Sequence, residues 1–125
     1  MKKVISTKNA PAAIGPYSQA IEVNGLIFIS GQLPIDPATG QFPEGGVKEQ
    51  TLQAFKNIKA ILAEEGLMTD NIVKTTVLLA DMSLFAEMNE VYASQFNGSF
   101  PARSAFAVKA LPKDALVEIE VIASR

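Results

Sequence analysis

Apolar and polar positions along the chain form alternating, helically spaced and broken stretches. Lys3 to Ser6 and Ser18 to Val23 alternate over short runs and predict strands, the first of them at a sheet edge. Asn24-Gly25 then offers the two residues that accept positive φ in a tight hairpin, just before the apolar run Leu26 to Ser30. Between positions 31 and 46 stand Gly31, Pro34, Pro37, Gly40, Pro43, Gly45 and Gly46, a density of breakers that predicts loop.

From Val47 to Glu65 the residues Leu52, Phe55, Ile58 and Leu62 recur at helical spacing, and Gly66 stands where a helix C-terminus favours glycine. Ile72 to Ala80 is rich in β-branched residues and predicts an interior strand. Ser83 is the expected N-cap of a second helix, with Leu84, Phe85, Met88, Val91, Tyr92 and Phe96 inward and Asn97-Gly98 at its end. Two more strands are expected at Ser104 to Ala110 and Leu116 to Ala123, joined around Pro112-Lys113-Asp114.

The predicted order is β-β-β-α-β-α-β-β, an α+β layout on one mixed sheet of about six strands. Two helices packed on one face leave the other face apolar and uncovered. A homo-oligomer that buries this second face between subunits is therefore expected.

The chain is one domain, residues 1–125: its 125 residues and 13.4 kDa leave no room for a second folded unit. Eleven basic and 13 acidic side chains give a net charge of −2, which argues against a nucleic-acid partner or an anionic membrane. The absence of His and Cys removes more. It excludes a Ser-His-Asp triad, a thiol nucleophile, a redox pair and a His/Cys zinc site. Carboxylates, Lys, Arg, Tyr, Ser, Asn and backbone groups remain for chemistry. The basic start Met1 to Lys8 is followed by no apolar segment of secretory length, and no run approaches a bilayer span, so a cytoplasmic location is expected.

Among the remaining side chains Arg103 stands apart. It is the one arginine besides the C-terminal Arg125, and it lies between Pro101-Ala102 and Ser104 at a loop-to-strand junction. A guanidinium there offers a planar fork that grips a carboxylate through two bonds; a structural ion pair at the surface is the bland alternative. In the last strand Val117, Ile119 and Val121 share one face, whereas Glu118 and Glu120 interrupt an apolar stripe of Leu116 and Ile122 on the other. Glu118 is a candidate for holding a water or a proton near a substrate, against the simpler reading of a solvated sheet face. Gly31, after Ser30, permits a ligand or another backbone to come close. Tyr17, in the N-terminal loop, is placed either to meet a small ligand or to pack, and Asn89 sits mid-helix. No phosphate-binding Gly-rich motif and no calcium-loop spacing occurs.

Taken together, Pro101-Ala102-Arg103-Ser104, Leu111-Pro112-Lys113-Asp114 and Val117-Glu118-Ile119-Glu120 closely resemble the signature of the RidA family, also called the YjgF/YER057c/UK114 family. Asn9-Ala10-Pro11, Ile14-Gly15-Pro16-Tyr17, Ile29-Ser30-Gly31-Gln32 and Val73-Lys74-Thr75-Thr76-Val77 resemble its other segments in the same order. The resemblance spans essentially the whole chain. It implies a chorismate-mutase-like fold assembled as a homotrimer, with active sites in clefts between subunits. The implied activity is hydrolysis of 2-imino acids, formed from 2-aminoacrylate or 2-aminocrotonate, to 2-keto acids and ammonia, sparing PLP enzymes from reactive enamines.

By this resemblance Arg103 is the carboxylate clamp, Glu118 the group that orients or activates water, and Gly31 a backbone contact. Tyr17, Ser30 and Asn89 line the same pocket, Tyr17 from across the subunit boundary, and neither cofactor nor metal is needed. One departure concerns the position two residues after Arg103, a cysteine in many members and Ala105 here, which removes any thiol role. Three other readings remain: a trimeric protein that senses small carboxylates or keto acids in the same cleft, RNA cleavage or translation inhibition, and a chaperone-like role. Net charge and the lack of His speak against the RNA reading.

Overall fold

The structure, a computed structural model, describes all 125 residues. Six strands form one sheet: β1 (Lys3–Ile5), β2 (Ala20–Val23), β3 (Leu26–Gln32), β4 (Ile72–Leu79), β5 (Ala102–Ala107) and β6 (Val117–Ser124). Their order across the sheet is β1-β2-β3-β6-β4-β5. The last strand, β6, inserts antiparallel between β3 and β4, and β4 pairs parallel with the edge strand β5. The Asn24-Gly25 hairpin forms as expected, with Asn24 at φ 50° and Gly25 at φ 77°.

Two helices, α1 (Val47–Glu64) and α2 (Phe85–Ala93), carry the crossovers from β3 to β4 and from β4 to β5. Gly66 closes α1 as the sequence implies: at φ 70° it lets Leu67 N–H reach back to the Leu62 carbonyl at 3.0 Å. Both helices lie over one face of the sheet. That face is built from Thr75, Val77 and Leu79 of β4 with Val117, Ile119 and Val121 of β6, all fully or nearly fully buried. Phe55 of α1 packs edge-on against Tyr92 of α2 at 5.6 Å and against Phe96 at 5.8 Å. Such aromatic pairs add about 0.5–1.5 kcal/mol beyond the area they bury.

Several boundaries differ from expectation, each for a physical reason. Ser83 is not the helix cap. Asp81 Oδ1 accepts the Ser83 N–H at 2.8 Å and opens a 3₁₀ turn, Met82–Leu84, from which α2 starts at Phe85. The second helix ends at Ala93 rather than at Asn97-Gly98, because the Ser94 hydroxyl and the Gln95 amide both donate to the Val91 carbonyl and cap it early. Leu52 is 42% exposed, and the inner face of α1 runs instead through Thr51, Ala54, Phe55, Ile58, Ile61 and Leu62. The strand expected at Ser104 to Ala110 begins two residues earlier and stops at Ala107, where its parallel partner β4 ends. No helix is long and apolar enough to cross a membrane.

The second face of the sheet has no layer over it. Phe28 of β3 is 41% exposed and Phe106 of β5 is 48% exposed, in line with half-buried Thr76, Leu78 and Ile122. On this face lie Glu118 and Glu120.

Candidate active site

The sequence candidates fall into two groups. The first is set by α2 and β5. Phe85, Asn89 and Tyr92 stand at i, i+4 and i+7, so one stripe of α2 presents two rings and an amide toward the sheet edge. Arg103, the second residue of β5 and paired with Thr75, points to the helix side beneath that stripe. Its guanidinium carbon sits 4.7 Å from the Tyr92 ring centre and 5.3 Å from that of Phe85. Its Nη1 donates to Asn89 Oδ1 at 2.6 Å. Tyr92 is itself fixed by a 2.8 Å hydrogen bond between its hydroxyl and Thr75 Oγ1.

No carboxylate lies within ion-pairing distance of Arg103. The surface ion-pair alternative therefore fails for this residue. Its ring stack orients the fork, one N–H is engaged, and the remaining donors face a cleft of about 520 Å³ lined by Asn89, Tyr92, Ala93, Phe100, Pro101 and Arg103.

The second group gathers where β3 leaves the sheet beside β6. Ile29 pairs with Val121 and Gln32 with Ile119, so Ser30 and Gly31 together face Glu120 across a β-bulge. What comes close to Gly31 is neither a ligand nor a backbone but the Glu118 side chain. A Cβ at position 31 would lie 3.0 Å from Glu118 Cδ and 3.3 Å from Cγ. The missing side chain lets the Glu118 carboxylate lie against the strand.

Glu118 accepts no hydrogen bond and has no cationic partner. Burial, followed by the negative charge of Glu120, pushes its carboxyl above the ordinary carboxylate range. Ser30 ties the N-terminal loop to this strand: its Oγ donates to the Ser18 carbonyl at 2.6 Å, and its N–H donates to the Gln19 carbonyl at 3.0 Å. Tyr17, at the crest of that loop, shares a surface cleft with Ser30 and Glu120.

The fold thus joins Arg103 with Asn89, and Tyr17 with Ser30, Gly31 and Glu118, but it does not join the two groups within one chain. Alternation along the strands puts Arg103 on the helix side and Glu118 on the uncovered side. The inward placing of Phe85 and Tyr92 holds, Tyr92 lying in the core and Phe85 against it. What sequence reasoning missed is that their rings also form the platform under Arg103, for which their spacing with Asn89 was the available signal. The coupling of Glu120 to Glu118 was equally readable from their shared face.

A mixed six-stranded sheet with both helices on one side, an unpaired arginine at its parallel edge and a carboxylate on its open face define a small α+β protein with two separate groups of candidate site residues. The chain belongs to the Rid family: a family profile described as Endoribonuclease L-PSP matches residues 7–125. It is 56% identical over 123 residues to the 2-iminobutanoate/2-iminopropanoate deaminase of Mus musculus, covering 98% of this chain and 91% of the mouse protein. Among solved structures, the conserved Rid family protein YyfA from Yersinia pestis superposes with TM-score 0.96 at 53% identity over 100% of both chains. E. coli TdcF, solved with bound serine, superposes with TM-score 0.94 at 43% identity over 98% of each chain.

Proposed function

We propose that this protein hydrolyses small 2-imino acids to 2-keto acids and ammonia, and that by doing so it removes reactive enamines before they reach PLP enzymes. The observation that carries the reading is Arg103: a guanidinium aimed by two rings and an amide, with no carboxylate of its own chain to neutralise it. Such a fork binds a substrate carboxylate through two parallel hydrogen bonds. The deaminase name of the mouse relative and the serine bound to the E. coli relative, a small molecule with the same carboxylate, support it.

Chemically, water adds to the C=N carbon, the nitrogen gains protons, and the C–N bond breaks to release ammonia. Glu118 takes a proton from the attacking water and returns it to the departing nitrogen. A carboxyl group held above its ordinary range suits both steps, since it is a better base when ionised and stays a proton donor nearer neutrality. Asn89 holds the clamp in orientation, and Tyr17 and Ser30 shape the wall beside the reacting carbon.

Arg103 and Glu118 must meet across a subunit boundary for this chemistry. We infer a homotrimer in which the β5 edge of one subunit meets the open sheet face of the next, a contact that also covers Phe28 and Phe106. The test is a coupled assay in which a PLP dehydratase generates 2-aminoacrylate from serine and pyruvate formation is followed. The wild type should accelerate it, and Arg103→Ala should lower kcat/KM by at least about a hundredfold, roughly 2.7 kcal/mol. Mixing and reassociating Arg103→Ala with Glu118→Gln should restore activity at about a quarter of the sites of a closed three-subunit ring. No recovery on mixing, with mixed assemblies confirmed by mass, would overturn the shared Arg103–Glu118 site. A folded Arg103→Ala with normal turnover would leave the cleft as a binding site for small carboxylates.

A further inference from the structure

A second concavity, of about 430 Å³, lies at the end of the sheet between the N-terminal loop and the loop after β3. Its floor is apolar, with Ala10, Pro11, Leu33 and Ile35, and the exposed Ile14 stands at its edge. Two buried amides hold its walls. Gln19 Nε2 donates to the Thr7 carbonyl at 3.1 Å and the Pro11 carbonyl at 2.7 Å, while its Oε1 accepts the Thr7 N–H at 2.7 Å. On the opposite wall, Asn57 Nδ2 donates to the Leu33 carbonyl at 3.1 Å and the Ile35 carbonyl at 2.9 Å. The concavity is therefore a preformed feature and not a gap between loose loops.

The charges on its rim run against those of the whole protein. Lys8 and Lys113 line it, no Asp or Glu does, and the chain as a whole carries −2. Neither lysine is ion-paired or hydrogen-bonded within the chain. Lys113 is held there by an unusual backbone. It and Asp114 are consecutive non-glycine residues with positive φ, 58° and 56°, in the turn that leads into β6. Side chains with a Cβ resist this region, and such outliers persist where the surroundings impose them, often at ligand sites.

We propose that this groove binds a monocarboxylate with an apolar tail, the carboxylate between Lys8 and Lys113 and the tail along Ile14, Leu33 and Ile35. Its volume lies in the range of small-molecule sites, and an apolar floor with few convergent charges is their usual composition. Charge at the rim of a concave, low-dielectric wall concentrates anions more than the same lysines on a flat surface. Within one chain Arg103 and Asn89 do not line the groove, so it is a separate concavity whether or not the deaminase reading holds. The groove and the Glu118 half-site meet at Gly31 and Tyr17, so an occupant there sits beside the reacting group.

Octanoate titrated calorimetrically into the intact protein tests this. Arg103→Ala, which removes any carboxylate binding at the clamp, should retain the octanoate binding that depends on Lys113. Lys113→Gly, which adopts positive φ without strain, should weaken it at least tenfold with no loss of thermal stability. Lys8→Gln should weaken it as well, and octanol, with the same tail and no charge, should bind the wild type and Lys113→Gly equally. Absence of saturable octanoate binding, equal binding by Lys113→Gly and wild type, or loss of binding in Arg103→Ala would each overturn the proposal.

Discussion

The two faces of the sheet are made from the same strands and have opposite fates. On the helix-covered face, Val77, Val117 and Ile119 are completely excluded from solvent. One residue along in each strand, Leu78, Glu118 and Glu120 face a side with no covering layer. The covered face is homogeneous: aliphatic side chains, two helices and an aromatic cluster. The open face mixes Phe28, Phe106 and Ile122 with two carboxylates, and a sheet face that only needed solvation would not carry so much apolar surface. The contrast ties packing stability to one face and, on the proposed reading, subunit association and the Glu118 half of the chemistry to the other, while Arg103 stays on the helix side.

The strongest attempt to break this assignment is a matched pair of truncations. Ile119→Ala on the covered face removes a fully buried side chain and should cost about 2–5 kcal/mol of unfolding free energy in urea. Phe28→Ser on the open face should cost under about 0.5 kcal/mol in the dissociated chain while weakening self-association in sedimentation. Equal losses of folding stability from both would erase the distinction between the faces.

Gly31→Ala sharpens the comparison within the open face. The added Cβ meets only the outer atoms of the Glu118 side chain, a flexible group free to rotate away. Folding stability should change by under about 1 kcal/mol, whereas kcat should fall about tenfold or more because the carboxylate is displaced. A variant that unfolds but keeps its specific activity would make Gly31 a backbone requirement rather than a seat for Glu118.

Much of this was legible in the sequence because periodicity reports burial directly. Alternation in Val117 to Ile122 separated the covered from the open face, and Asn24-Gly25 and Gly66 marked a hairpin and a helix end through backbone freedom alone. What periodicity cannot report is which partner a polar group finds in three dimensions. Ser83 fits the usual residue preference for a cap, but Asp81 reaches its N–H and takes the role. Leu52 fitted a helical stripe, yet the sheet lies under Thr51 and Phe55 instead. Arg103 and Glu118 were readable as candidates 15 positions apart. Their separation onto opposite faces depends on the parallel β4–β5 pairing, which no local pattern encodes.

The finest discrimination comes from pH. A solvated carboxylate on an open face titrates alike in the folded and unfolded chain and leaves no mark on stability, whereas Glu118 is held above its ordinary 4.5 by burial and by Glu120. The folded chain therefore binds the Glu118 proton more tightly than the unfolded chain does. Below pH 4.5 both states carry the proton and this stabilising contribution is fully present. As pH rises through that value toward the raised one, the unfolded chain ionises first and the contribution is lost. Glu118→Gln removes the effect, since a neutral amide of similar shape has no proton to release. Relative to Glu118→Gln, the wild type should lose unfolding free energy across this interval and run parallel to the variant at higher pH, as measured by urea melts at closely spaced pH values. A constant difference would mean that Glu118 is solvated like any surface acid, and the open face would then lack the one environment that fits it for moving a proton.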